Sequence, residues 1–354
     1  MLNKIVKEFF PLEGISEVLP FGNGHINDTY KVSFEGDAAP CILQKINVAV
    51  FTNPKGLVAN HIKIQEFLES DESDLEIPSL CPVASGGYLF IDDSDGVWRM
   101  MNFISDSYSI GLVKENWQAS QAGRGYGWFA NACSNLDATK FVEAIKDFHR
   151  LSFRVWQLDE AIEGDQAGRL AGVQDTVDFY KARQEKLMVI ERMVDAGEIP
   201  LRVTHNDTKI DNLLFRGEKS CAVIDLDTVG PGILYYDFGD SIRTISNTAA
   251  EDEKDLAKVE FNADAYREFA SAYLEQVKSI STPGEAGSYY LAPVLMTYIM
   301  GIRFLADYLN GDVYYKTAYP DHNLVRSSVQ RRLIECMEEK EDYMKEVIGQ
   351  IIGS

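Results

Sequence analysis

The sequence predicts an α+β fold in two unequal lobes: a small antiparallel sheet with one helix, then a larger, mainly helical part. Three observations predict it. Alternating apolar segments crowd the first hundred residues, long stretches with apolar residues three and four apart fill most of the rest, and one short hairpin around residues 205–225 interrupts those helices. The 354 residues are enough for two cores, and the expected division is 1–104 and 105–354.

In chain order, residues 15–21 and 29–34 are β-like and flank Gly22-Asn-Gly-His-Ile-Asn27, and residues 40–46 make a third strand. Residues 53–70 carry a helical period through Leu57, Ile62, Ile64 and Leu68. Residues 88–91 and 98–103 read as a hairpin turning at 92–96. Helices are expected at 114–133, 140–151, 174–196, 253–279, 286–310 and 323–351. The most apolar stretch, 291–305, holds Pro293 and Arg303 and is shorter than a membrane span, so it reads as a buried helix.

Composition narrows the function. The net charge of -21, from 55 acidic and 34 basic residues, argues against a nucleic-acid or anionic-membrane surface, since either needs a basic face. Cysteines 41, 81, 133, 221 and 336 are scattered and odd in number, with no Cys-x-x-Cys, so zinc or disulfide scaffolding is not expected and a reducing, cytoplasmic setting fits. The first ten residues are too charged for a secretory signal.

The densest information lies in His205-Asn-Asp207-Thr-Lys209-Ile-Asp-Asn212, followed by two short apolar strands and Asp225. This is the spacing of a kinase catalytic loop and its metal-binding aspartate. Asp207 is suited to take the proton of an attacking hydroxyl, and Lys209 to steady charge on a transferring phosphoryl. Asn212 and Asp225 offer hard oxygens to Mg²⁺. His205 braces the loop. Asp237-Phe238-Gly239 spells a similar metal motif but follows a Pro-Gly turn thirty residues after Asp207, so Asp237 and Asp240 read as capping or loop-bracing groups. Upstream, Gly22, Asn23 and Gly24 are either a hairpin turn or a phosphate loop. Lys45 stands where a phosphate-binding lysine belongs, with Glu66 the nearest carboxylate on the following helix, although His61 and Gln65 share that helix. The connection 100–104, with Met101 and Phe103, would be the hinge against the adenine of ATP.

These motifs resemble the aminoglycoside phosphotransferase and choline kinase superfamily, which shares the protein-kinase-like bilobal fold. Within it the chain is most similar to the N-acetylhexosamine 1-kinases. The resemblance runs through Gly24-His-Ile-Asn27, Ile42-Leu-Gln44, 203–209, 224–228, 237–243, Arg303-Phe-Leu-Ala-Asp-Tyr-Leu309, Gly311-Asp-Val-Tyr314 and 322–327. It implies phosphorylation of the anomeric hydroxyl of N-acetylglucosamine or N-acetylgalactosamine with ATP and Mg²⁺. Asp207 would be the base, Asn212 and Asp225 the metal ligands, Arg303 and Tyr314 the sugar contacts, and Asp227 would lie beside the metal site. A monomer or weak homodimer is expected. The alternatives are a kinase of another small alcohol (choline, homoserine, an aminoglycoside, methylthioribose) or a catalytically silent nucleotide-binding protein.

Overall fold

The structure, a computed structural model, describes residues 1–12, 14–22, 26–69 and 72–353. The expected phosphate-loop residues Asn23 and Gly24 lie outside the described residues. An antiparallel sheet and a helical C-terminal part form the mixed α+β fold, 51% helix and 14% strand.

The sheet is built from β1 (Ile15–Pro20), β2 (Asp28–Phe34), β3 (Cys41–Ile46), β4 (Leu80–Cys81), β5 (Phe90–Ile91) and β6 (Val97–Asn102). Its order is β1-β2-β3-β6-β4, with β5 also on β6, all antiparallel, and a further short strand, β7 (Tyr108–Ser109), lies outside this sheet. Side chains alternate between its faces. Val32, Leu43, Trp98 and Met100 point outward and are covered by a helix that the sequence reading had not marked, α1 (Leu2–Phe9), through Ile5, Val6 and Phe9. Ile46 and Val97 point inward and pack on Leu57 and Val58 of α2 (Pro54–Leu68). That helix starts where expected, because Asn53 caps it by accepting the Gly56 N–H at 3.0 Å and Pro54 needs no donor at the first turn. The hairpin turn forms at 92–96, where Asp92 Oδ1 accepts N–H groups of Ser94 and Gly96.

The remaining helices are α3 (Asn116–Ala132), α4 (Leu151–Gly164), α5 (Gln174–Asp195), α6 (Leu234–Ile245), α7 (Ala263–Val277), α8 (Pro283–Ser288), α9 (Ala292–Leu309), α10 (His322–Glu339) and α11 (Glu341–Ile352). Three expectations need correction. Residues 141–150 are not helical: Asp147 takes φ +52°, and the His149 ring is held by the Asn206 carbonyl, so the helix begins at Leu151 instead. The stretch 253–262 lies outside α7, whose start is fixed by Asn262 capping the Ala265 N–H. The last long helix is two, broken at Lys340. The apolar helical stretch 283–309 passes a length-and-composition test for a membrane span, but 83% of its apolar window is buried within the protein. It is the central helix of the core, as its composition predicts.

Glycines set how closely α3 approaches. A Cβ at Gly123 would meet the Phe269 carbonyl of α7 at 2.4 Å, and one at Gly125 would meet Leu213 at 2.6 Å. The second approach matters for the site, since Leu213 directly follows Asn212.

Candidate active site

The 205–212 loop leaves β8 (Arg202–Thr204), itself paired with β11 (Gly230–Gly232) in short two-stranded contact. Its backbone is fixed from every side. Asp237, in the first turn of α6, accepts the N–H groups of His205 at 2.9 Å and Asn206 at 2.7 Å. Thr228 donates to the His205 carbonyl, Ser241 to that of Thr208, and Tyr126 to that of Lys209. Asn206, at φ +64°, is held through its side chain by Thr204 and the Thr228 carbonyl. Such over-determination keeps a left-handed non-glycine residue in place. Asp237 therefore braces the loop, as the sequence indicates. Asp240 pairs with Arg243 at 2.8 Å, and Arg243 reaches Glu251.

His205 is buried and neutral in geometry: Nε2 lies 2.9 Å from the Ile224 carbonyl, and Nδ1 accepts the Asp207 N–H at 3.3 Å. Burial lowers its pKa. Asp207 Oδ2 lies 3.3 Å from Lys209 Nζ and accepts from Asn212 Nδ2 at 2.9 Å. Burial acts to raise the Asp207 carboxyl, but Lys209, His205 and these hydrogen bonds hold it below its ordinary value. The same ion pair raises Lys209. Asp207 is thus an anion at neutral pH.

The hairpin of β9 (Leu213–Arg216) and β10 (Lys219–Val223) returns the chain so that the Ile224 N–H bonds the Asn212 carbonyl at 3.0 Å, which puts Asp225 beside Asn212. Asp225 sits at φ +61°. Burial, then the charges of Asp227 and Asp207, push its carboxyl up to about 7. Anions crowded in this way form a site that a cation would relieve, and the amide and carboxylate oxygens are the donors that Mg²⁺ prefers.

The sheet wall differs from the sequence reading. Register pairs Lys45 with Trp98 and Gln44 with Arg99. Lys45 is therefore on the outer face, with Nζ 5.8 Å from the Trp98 ring, and not in the cleft. Glu66 is exposed, and His61 and Gln65 are occupied by the Pro78 carbonyl and the Leu80 N–H, so no Lys45–Glu66 pair forms. The cause is strand alternation: a shift of one residue reverses the face. On the inner face Arg99 is only 2% exposed, donates from Nε and Nη2 to Gln44 Oε1 at 3.0 and 2.7 Å, and forms an ion pair with Asp227. Asp227 also accepts from Asn27 Nδ2 at 2.6 Å. Met101 is buried on this same face. Phe103, at its end, lies edge-to-face with Phe21 at 5.5 Å and beneath Lys31 Nζ at 4.0 Å. Gly22 follows Phe21 at φ +78°, a backbone that glycine tolerates without strain.

Beside the catalytic loop stands a second wall, of rings and guanidinium groups. Arg303 of α9 has its Cζ 4.8 Å from the Phe148 ring, 5.9 Å from Tyr314 and 5.6 Å from Tyr315. Both tyrosines are delivered by a loop wrapped on buried Asp307, whose carboxylate accepts the N–H groups of Val313, Tyr314 and Tyr315 at 2.8–3.0 Å. Arg154, also buried, bonds the Phe148 carbonyl and Gln157, and burial followed by the charge of Arg303 lowers it to about 10. Among the described residues neither Arg154 nor Arg303 forms an ion pair. His149 links this wall to the catalytic loop, since its Nε2 lies 2.7 Å from the Asn206 carbonyl. A cavity of about 260 Å³ adjoins them, lined by Phe148, His149, Asn206, Thr228 and Tyr236 among others. Sequence reasoning missed Phe148, His149, Arg154 and Arg99. The Phe-His pair preceding a helix was a visible signal for the first two, whereas Arg99 needed the strand register.

Comparison with known proteins gives the same architecture. The model of the phosphotransferase enzyme family, APH, matches residues 17–272. That span takes in the sheet and the catalytic hairpin and stops before Arg303 and Tyr314. Similar solved structures include a microcompartment-associated aminopropanol kinase, at 13% identity over 97% of this chain and 98% of that one, with TM-score 0.60. Choline kinase from Cryptosporidium parvum Iowa II is 13% identical over 96% and 93% of the two chains, with TM-score 0.58. A spectinomycin phosphotransferase in complex with ADP and spectinomycin is 12% identical over 96% and 98%, with TM-score 0.56.

Proposed function

The chain belongs to the phosphotransferase enzyme family, and from that premise we propose that it is an ATP- and Mg²⁺-dependent kinase of a small neutral sugar, phosphorylating the C1 hydroxyl of N-acetylglucosamine or N-acetylgalactosamine. The observation that carries this choice of acceptor is the pair Arg303 and Arg154, buried or half-buried among Phe148, Tyr314 and Tyr315 with no ion-pair partner among the described residues. Guanidinium N–H groups suit hydroxyls and an acetamido carbonyl, and rings suit the flat faces of a sugar. An ammonium-bearing acceptor would meet uncompensated positive charge there.

In this mechanism residues 1–104 hold the nucleotide and residues 105–354 supply the catalytic loop and the acceptor wall. Gly22 borders the phosphates, and Met101 and Phe103 pack against the base. Asp207, ionised beside Lys209, aligns the acceptor hydroxyl by accepting its hydrogen bond and takes its proton late, as bonding to phosphorus develops. Lys209 places positive charge beside the transferring phosphoryl. Asn212 and Asp225 would hold Mg²⁺, which when bound neutralises charge on the donor phosphates. Arg303 and Tyr314 hold the sugar with C1 toward Asp207.

A second reading has its own support. The structurally similar proteins are named for aminopropanol, choline and spectinomycin, and the surface charge of -21 would attract such cations. ADP release measured across an acceptor panel separates the two. Turnover with N-acetylhexosamines and none with choline or aminoglycosides supports the sugar; the reverse pattern discards Arg303 and Tyr314 as sugar contacts and keeps the catalytic loop.

A further inference from the structure

We propose that Arg99 is the cation through which the sheet grips the donor phosphates, and that Asp227 is the positioning carboxylate that aims it. This rests on the kinase reading given above. Four observations converge on Arg99. Register puts it on the inner face of the sheet, where the sequence reading had wanted Lys45. Its ion pair with Asp227 brings it to the segment that carries Asp225. The other cation of that face, Lys31, lies over the Phe103 ring, next to Ile42 rather than Gln44 in the register. Finally, Gln44 and Asp227 occupy Nε and Nη2 of Arg99, while Nη1 is buried without a partner among the described residues.

The last point is the strongest. A buried guanidinium N–H left unmade is costly, and proteins rarely leave one so. A phosphate oxygen supplies the missing acceptor, and a guanidinium already fixed by two neighbours presents its remaining nitrogen in one direction. Buried ion pairs are poor stabilisers, because desolvation offsets their attraction. A pair only a few per cent exposed, spanning the sheet and the catalytic segment, therefore suggests positioning. Asp227 also holds Asn27, which in turn accepts the Asn47 N–H at 3.0 Å, so one carboxylate ties down the cation and the strand that follows residues 22–26.

The test is calorimetric binding of ADP and of adenosine to wild type, Arg99→Gln, Asp227→Asn and the double variant. Removing both charges together leaves no lone buried ion, so the double variant is the one expected to stay folded, and thermal melting checks it. Adenosine binding should be unchanged throughout. ADP binding should weaken about 10- to 100-fold without Arg99, the range of a charged hydrogen bond. Asp227→Asn should weaken ADP when Arg99 is present and add little when it is absent, a coupling that general loss of structure would not produce. A folded double variant with the wild-type preference for ADP over adenosine overturns the assignment of Arg99 alone. A wild type that binds neither ligand overturns the kinase reading and this inference with it.

Discussion

The two walls of the cleft hold their charges in opposite ways. The catalytic wall gathers Asp207, Asp225, Asp227, Asp237 and Asp240, and satisfies them with Lys209, Arg99, Arg243 and the N–H groups of the loop. Asp225 stays underserved, and its carboxyl sits near 7. The second wall gathers Arg154 and Arg303 and satisfies them with a carbonyl, an amide, a thioether and aromatic faces. One wall is short of positive charge and the other of negative. On the proposed function, that difference would place the metal and the donor phosphates at the carboxylate wall and a neutral, oxygen-rich acceptor at the arginine wall.

The comparison breaks most visibly at Asp207. Asp207→Asn keeps the shape and removes the charge, so turnover should fall by roughly 10²–10⁴-fold while ADP binding, read by calorimetry, survives. Normal turnover in that variant would take Asp207 out of the mechanism. On the second wall, Arg303→Ala should raise KM for the sugar by about 10- to 100-fold, with KM for ATP unmoved. Equal changes in both constants would show that Arg303 supports the fold and not the acceptor.

How much of this was legible depends on how local each feature is. The 205–225 hairpin carries its own geometry: contiguous residues, a short turn and an Ile224–Asn212 backbone bond fix Asp207, Asn212 and Asp225 relative to one another. Spacing in sequence is then nearly spacing in space. On the sheet it is not, because adjacent residues point to opposite faces. Nothing in Ile42-Leu-Gln-Lys45 says which of Gln44 and Lys45 faces the cleft until α1 is known to cover the outer face. Arg303 and Tyr314 were marked out by a resemblance, and the fold brings them together. Arg154 and His149 were not, since the stretch 140–151 has a helical pattern and ties formed across the fold, from Asn60 to the Val142 backbone and from His149 to the Asn206 carbonyl, hold it irregular.

Smaller effects sharpen the contrast. His149 is neutral because burial, then the charges of Arg303 and Arg154, lower it to about 3, against the raising effect of the Asn206 carbonyl. Its folded pKa lies below the unfolded value near 6.5, so it contributes stability above pH 6.5 that is lost as pH falls toward 3. Thermal melting of His149→Gln should therefore decline less steeply between pH 6.5 and 5 than that of wild type. Buried Asp237, raised to about 7, acts in the opposite direction in both proteins and cancels in the comparison. A steeper decline in the variant would place the acid sensitivity elsewhere. Tyr314, at 53% exposure, can lend a hydroxyl or a face; Tyr314→Phe should cost about 2- to 10-fold in sugar KM if the hydroxyl is used. Lys45→Met, on the outer face, should leave KM for ATP within about twofold, the scale of a surface substitution. A large rise there would return the phosphate contact from Arg99 to Lys45.

The most direct test of the central claim is phosphorus NMR of the product formed from ATP, Mg²⁺ and each N-acetylhexosamine. The account predicts a sugar phosphate whose phosphorus couples to the anomeric proton, formed from N-acetylglucosamine or N-acetylgalactosamine and absent with choline and aminoglycosides. A phosphate attached at any other carbon, or transfer only to the cationic acceptors, would contradict it.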